Sequence, residues 1–139
     1  GRRRETADVD ERVTADVALA EVRRICLGLP EVTERPSHGA PTWFVRGKKS
    51  FVMFLDNHHG DGRLAIWCAA PPGAQEQLVE QEPRRFFRPP YVGHRGWLGV
   101  LLNVEPDWEE VAAICTDAYR QVDPKTLVAE LDARQGGSR

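Results

Sequence analysis

Trp43-Phe44-Val45-Arg46-Gly47-Lys48-Lys49-Ser50-Phe51-Val52-Met53-Phe54-Leu55 holds two apolar runs separated by a short polar break containing one glycine. Aromatic and β-branched residues dominate both runs, so they read as strands joined by a hairpin with a basic tip. The second run, 51–55, is apolar without alternation. A strand of that kind belongs at the centre of a sheet, covered on both faces.

Downstream, Asp56-Asn57-His58-His59-Gly60-Asp61-Gly62 is a polar turn and Leu64-Ala65-Ile66-Trp67-Cys68 a third strand. Pro71-Pro72 opens a short helix to about Gln81, with Ala74 and Leu78 on one face. Residues 86–88 suit a short strand before the Pro89-Pro90 break, and 97–104 another, with Leu98, Val100 and Leu102 on one face. Asp107-x-x-Glu110 resembles a capping box, followed by Trp108, Val111, Cys115, Ala118 and Val122 at helical spacing. Asp123-Pro124 opens a last helix with Leu127, Val128 and Leu131.

Upstream, Thr14 reads as an N-cap and Asp16 favours a first turn. Ala18, Val22, Ile25 and Leu29 continue as a helix, which Gly28 and Pro30 end. His38-Gly39, between Pro36 and Pro41, is expected as a loop before the first strand. A helix, a run of strands with one short helix inserted, and two closing helices make an α+β fold. Its antiparallel sheet is covered by helices on one face. One domain over 13–133 is expected between a polar, disordered leader (1–12) and a disordered tail (134–139).

The chain has 139 residues, 41% hydrophobic and 29% charged, enough for one domain with a real core. No apolar run is long enough to span a membrane and no signal-type segment follows the early arginines, so a cytoplasmic protein without membrane contact is expected. Cys26, Cys68 and Cys115 are odd in number and far apart. They form no C-x-x-C and read as buried reduced thiols. Net charge is −2, but residues 31–100 carry nine basic and seven acidic side chains, against four and eight in 101–139. Anion binding would therefore be local to the middle third.

Its densest basic segment is Arg84-Arg85-Phe86-Phe87-Arg88-Pro89-Pro90-Tyr91-Val92-Gly93-His94-Arg95-Gly96-Trp97. Phe86, Phe87, Tyr91 and Trp97 either stack on bases or anchor the core beneath a loop. The hairpin tip adds Arg46, Lys48 and Lys49, which suit phosphate contacts. Nucleophile elbows and glycine-rich phosphate loops are absent, and the turn at 56–67 does not meet the calcium-loop pattern, since Trp67 stands where a glutamate is needed. No metal or cofactor is expected. His58 and His59, as neighbours on an extended turn, are expected to point to opposite sides.

In order, Leu29-Pro30, His38-Gly39-Ala40-Pro41-Thr42-Trp43, Gly47-Lys48 before Phe51, the strand around Ile66, Pro89-Pro90-Tyr91 with Gly96-Trp97, and Ala118-Tyr119-Arg120-Gln121-Val122 before Pro124-Lys125-x-Leu127 resemble the MmcQ/YjbR family of small bacterial proteins. The resemblance covers about residues 14–131. It implies a compact α+β domain similar to frataxin-like and secretion-chaperone-like folds, and the DNA-binding label its members carry for a double-wing arrangement. Frataxin-type iron binding does not follow, because the first helix lacks a dense acidic ridge.

The expected function is electrostatic, weakly sequence-selective binding of double-stranded DNA without catalysis. Arg46, Lys48 and Lys49 would form one wing, with Arg84, Arg85, Arg88 and Arg95 as a second basic surface. The alternative is a protein-interaction or small-ligand module using His38, Trp43 and Tyr91, with the sheet face free of helices open to a partner and an exposed Trp43 or Trp67 there as its mark. A third reading is an enzyme using His38 on an anionic substrate.

Overall fold

The computed structural model describes residues 2–103 and 106–122, with side-chain surroundings from Ala15 onward. The apolar runs that opened the sequence reading become β2 (Ala40–Val45) and β3 (Lys49–Asp56). Arg46 and Gly47 turn the chain between them with φ of 54° and 68°. Before β2 lie α1 (Arg2–Leu27) and β1 (Val32–Ser37). After β3 come β4 (Leu64–Cys68), α2 (Ala74–Gln81), β5 (Phe86–Phe87), β6 (Leu98–Leu101) and α3 (Trp108–Val122). The strands form one antiparallel sheet in the order β1-β2-β3-β4-β6-β5. The fold is α+β.

Three local expectations change. α1 begins at Arg2, so the segment read as a leader is helical and Thr14 is not its cap. No Pro or Gly falls between Arg2 and Leu27 to stop the helix. The stretch before Trp43 is a strand, β1, paired with β2 from Val32↔Val45 to Ser37↔Ala40. His38 and Gly39 are its two-residue turn, with φ of 51° and 80°, the backbone that a type I′ hairpin needs. Pro36 and Pro41 face each other across this pair; β1 is an edge strand, where proline is tolerated. Finally, α2 buries Gln75, while Ala74 and Leu78 are only half-buried. The last helix expected from Asp123 and the tail lie outside the described residues.

The core sits between the sheet and the pair α1 and α3. Trp43, Val52, Ile66, Cys68, Leu98 and Val100 are buried with Ala18 and Val22 of α1 and Val111, Cys115 and Tyr119 of α3. Period-two alternation puts the other residues of the central strands, Met53, Leu55, Ala65 and Trp67, on the opposite face. Phe51 is the extra residue of a bulge in β3, between the pairs Trp43↔Val52 and Phe44↔Ser50. The bulge turns Phe51 edge-on to Tyr119, ring centres 5.7 Å apart.

Cys26, Cys68 and Cys115 are all buried and unbridged. Burial pushes the Cys26 and Cys68 thiols well above their usual range, so they behave as small apolar groups. Asp107 caps α3, its Oδ1 accepting from the Glu109 and Glu110 amides at 3.0 and 3.3 Å. Glu110 does not complete the box: its carboxylate accepts from Arg85 at 2.6 Å instead. No helix is long and apolar enough to cross a membrane, among the described residues.

Candidate functional site

The sheet face opposite α1 and α3 has an apolar floor of Met53, Leu55 and Trp67. Over that floor fold two irregular segments, residues 57–63 after β3 and 88–97 between β5 and β6. They leave a cleft of about 510 Å³ floored by Met53, Leu55 and Trp67 and walled by His58, His59 and Tyr91. His38 and Ser37, from the β1–β2 turn, close one end. Three of the four histidines of the chain thus meet around one cavity.

His58 and His59 do not point apart. The turn over His58–Gly60 is 3-10, with His59 at φ 49° and ψ 33°, and their ring centres lie 4.0 Å apart. Extended-chain alternation fails because a left-handed residue reverses the side-chain direction. The His58 ring also stands edge-on to Trp67, at 4.9 Å, and to Tyr91, at 6.1 Å. His58 Nε2 and Trp67 Nε1 are both buried and lack a hydrogen-bond partner. No group of three His, Cys, Asp or Glu side chains among the described residues is placed to hold a metal ion.

Six described non-glycine residues have positive φ, and three of them, His38, His59 and Tyr91, line this cleft. A left-handed backbone costs a non-glycine residue roughly 1–2 kcal/mol, and such strain concentrates at functional sites. Tyr91, at φ 65°, is also 70% exposed. Its ring, in edge contact with His58 alone among the aromatic pairs of the described residues, gains little from packing there.

The wall from 88 to 97 is held by α2. Gln75 Nε2 donates to the Gly93 carbonyl at 2.8 Å and to the Trp97 carbonyl. Irregular backbone that folds inward leaves carbonyls without ladder partners, and a buried amide supplies the donors. Gly93 fits because a Cβ there would stand 2.6 Å from Cγ of Arg88. β5 is seated in the same way: Phe87 occupies the space above Gly99, where a Cβ would lie 2.5 Å from its ring.

The basic residues scatter. Strand directions put the hairpin tip and the start of β5 at opposite ends of the sheet, so Arg84 and Arg85 lie away from Arg46, Lys48 and Lys49. Arg46 meets Glu31 at 3.3 Å. Arg85 is held between Glu82 and Glu110 at 3.0 and 2.6 Å. Lys48, Lys49, Arg84, Arg88 and Arg95 are exposed, and Arg95 stacks over Trp97. Arg88 joins Arg63, which stacks on Phe87 at 4.1 Å, in a shallow groove that shares His58, His59 and Tyr91 with the cleft.

Within the Arg-rich segment Phe86, Phe87 and Trp97 are core anchors. Trp43 faces the helices, fully buried. Its indole Nε1 donates to Glu34 at 3.0 Å, and Arg23 of α1 grips the same carboxylate through Nε and a terminal nitrogen, at 2.7 and 2.8 Å. The expected ligand trio therefore splits: His38 and Tyr91 line the cleft, Trp43 does not. Trp67, expected with Trp43 as a candidate for the free sheet face, does line the cleft, while His58, His59, Arg63 and Gln75 were missed as parts of this site. The only signal for them was polar or aromatic residues packed into a turn and a short helix, which has no chemistry until the chain folds back.

No curated protein matches the chain. Among solved structures it is similar to the crystal structure of Deinococcus radiodurans protein DR2400, with a DUF419 domain. The TM-score is 0.64 at 16% identity, over 82% of this chain and 87% of that one. At that identity the likeness shows the fold alone. The family model for YjbR matches residues 27–121, from the end of α1 through most of α3 and every strand between: the chain belongs to the YjbR family.

Proposed function

We propose that the protein is a small-ligand-binding domain whose site is the cleft on the sheet face opposite α1 and α3. The observation that carries this reading is the convergence of His38, His58, His59 and Tyr91 over Trp67, three of the four walls being on left-handed backbone. The volume of about 510 Å³ lies in the range of small-molecule sites, which are concave, mostly apolar and carry a few aimed polar groups. His38 makes no contact with a carboxylate among the described residues. It thus lacks the orienting partner that a catalytic base commonly has, which favours binding over chemistry. A fragment screen on ¹⁵N-labelled protein tests the reading. Hits should shift the amides of 37–38, 58–59 and 91–92 together. A screen whose hits all fall elsewhere removes the cleft as the site.

A second reading, duplex DNA binding, is favoured by one observation. Lys48 and Lys49 project from the hairpin tip, exposed and outside every ion pair among the described residues. Arg46 and Arg85 contribute less, since carboxylates already share them. Two or three phosphate contacts give a salt slope of about −2 to −3. Fluorescence anisotropy with a mixed-sequence duplex, beside a Lys48→Ala/Lys49→Ala variant, decides it. Salt-sensitive binding lost in the variant supports the tip as a wing, and no binding at low salt removes this reading.

A further inference from the structure

Two nitrogens in the cleft have no partner. Trp67 is 3% exposed and its Nε1–H, which can only donate, meets no acceptor; His58 Nε2 beside it is equally unpartnered. Leaving a buried polar group unsatisfied costs roughly 1–3 kcal/mol. Such groups persist where something else satisfies them or where they serve a site. Resting on the ligand-binding reading above, we propose that the cleft takes a small carboxylate with a planar apolar body. The carboxylate accepts from Trp67 Nε1 and His58 Nε2, and the body lies on Met53 and Leu55.

Three features select this class. A donor-only indole calls for an acceptor, which excludes ammonium groups and other pure donors. The adjoining groove carries Arg63 and Arg88, neither in an ion pair among the described residues, against one carboxylate, Asp61, whose Oδ1 already accepts from the Arg63 amide at 2.9 Å. That balance favours an anion over a neutral carbonyl. The floor of Met53, Leu55 and the Trp67 ring is apolar and suits a flat ring or branched chain. The His58 ring stands edge-on to the Trp67 indole, centres 4.9 Å apart, and both nitrogens are buried, so the ligand enters as that ring turns and brings Nε2 to the carboxylate. The ring sits on the 3-10 turn of a polar loop, with edge contacts to His59, Trp67 and Tyr91.

The test uses phenylacetate and its neutral isostere 2-phenylethanol, titrated to about 10 mM, a range that reaches weak millimolar binding. The readout is the indole N–H signal of Trp67, assigned with a Trp67→Phe variant, together with the amides of the cleft. The expected result is tighter binding of the acid by about tenfold, a downfield shift of the Trp67 indole proton, and loss of the acid's advantage in Trp67→Phe. Equal binding of acid and alcohol, or cleft shifts that leave the indole unmoved, would overturn the carboxylate assignment while the cleft stands as a binding site. No shift at any cleft residue with either probe would overturn this inference and count against the cleft itself. Should Trp67→Phe fold poorly, His58→Gln gives the second arm: the assignment requires it to weaken the acid more than the alcohol.

Discussion

The Tyr119 hydroxyl donates to the Pro30 carbonyl at 2.9 Å, joining α3 to the bend after α1 across 89 residues of chain, with both groups buried. Tyr119 thereby ties α3 both to that bend and to the sheet, since its ring packs edge-on against the bulged Phe51. Tyr119→Phe keeps the ring and leaves the Pro30 carbonyl without this donor. The expected loss is about 1–2 kcal/mol. Urea denaturation should show a lower midpoint at an unchanged slope; an unchanged midpoint would mean that water or a backbone shift replaces the bond.

Gly99→Ala drives a methyl into the Phe87 ring, 2.5 Å from where the new Cβ would stand. β5 is only two residues long and lies at the sheet edge, so it yields rather than the central strands. A cost of about 1–3 kcal/mol is expected, as for overpacking in general. The double variant with Phe87→Leu should recover part of it. Strictly additive effects in that thermodynamic cycle would show that the two residues do not compete for the same space.

Gln75→Leu removes a buried donor from two carbonyls, of Gly93 and Trp97. A loss of about 2–3 kcal/mol is expected, since each carbonyl is left without this partner. Amide hydrogen exchange offers the finer check: protection should fall across 91–97 more than in β3. Equal loosening everywhere would assign Gln75 to general stability and not to the cleft wall.

Acid should weaken the domain through Glu34. The hydrogen bond from Arg23 holds its carboxyl below the usual carboxylate range, with Trp43 adding a second donor. A depressed native pKa contributes stability that is complete above the unfolded value and is lost as pH falls through the native one. The loss should therefore begin near pH 4.3, the ordinary glutamate value, and continue below it. Glu34→Gln should be less stable at neutral pH and show a shallower fall in acid. Parallel stability–pH curves for the two proteins would remove Glu34 from the account.

Tyr91→Gly tests the strain in the cleft wall. Relief of the left-handed backbone, roughly 1–2 kcal/mol, exceeds the added chain entropy of glycine, about 0.5–1 kcal/mol. The ring is 70% exposed and packs little. Melting temperature should stay level or rise while binding at the cleft weakens. A clear drop in melting temperature would make Tyr91 a structural residue.

Local chain chemistry was enough for the helices at 18–27 and 108–122, the hairpin around Gly47 and the strands 51–55 and 64–68. Each carries its own period, turn residue or cap, and burial only reinforces what the chain already prefers. Family membership was legible for the same reason, since its marks are turns and core aromatics in order. β1 escaped because its Pro36 and polar Glu34 and Arg35 argue against a strand, until pairing with β2 and the grip of Arg23 on Glu34 satisfy them.

Of the cleft, only His38, Tyr91 and the Trp67 candidate were legible, and not their convergence with His58 and His59. His38, His58, Tyr91 and Trp67 are up to 53 residues apart, and adjacency in the chain suggested that His58 and His59 diverge. Only the tertiary fold bends the turn at 57–63 back over the sheet, lays 88–97 beside it and pins that wall with Gln75. The sequence alone determined most of the strands and helices, β1 and the start of α1 excepted, because those preferences are local. Which side chains meet on the face opposite α1 and α3 was decided by sheet order and by two irregular segments, one of them held by Gln75 from a distant part of the chain.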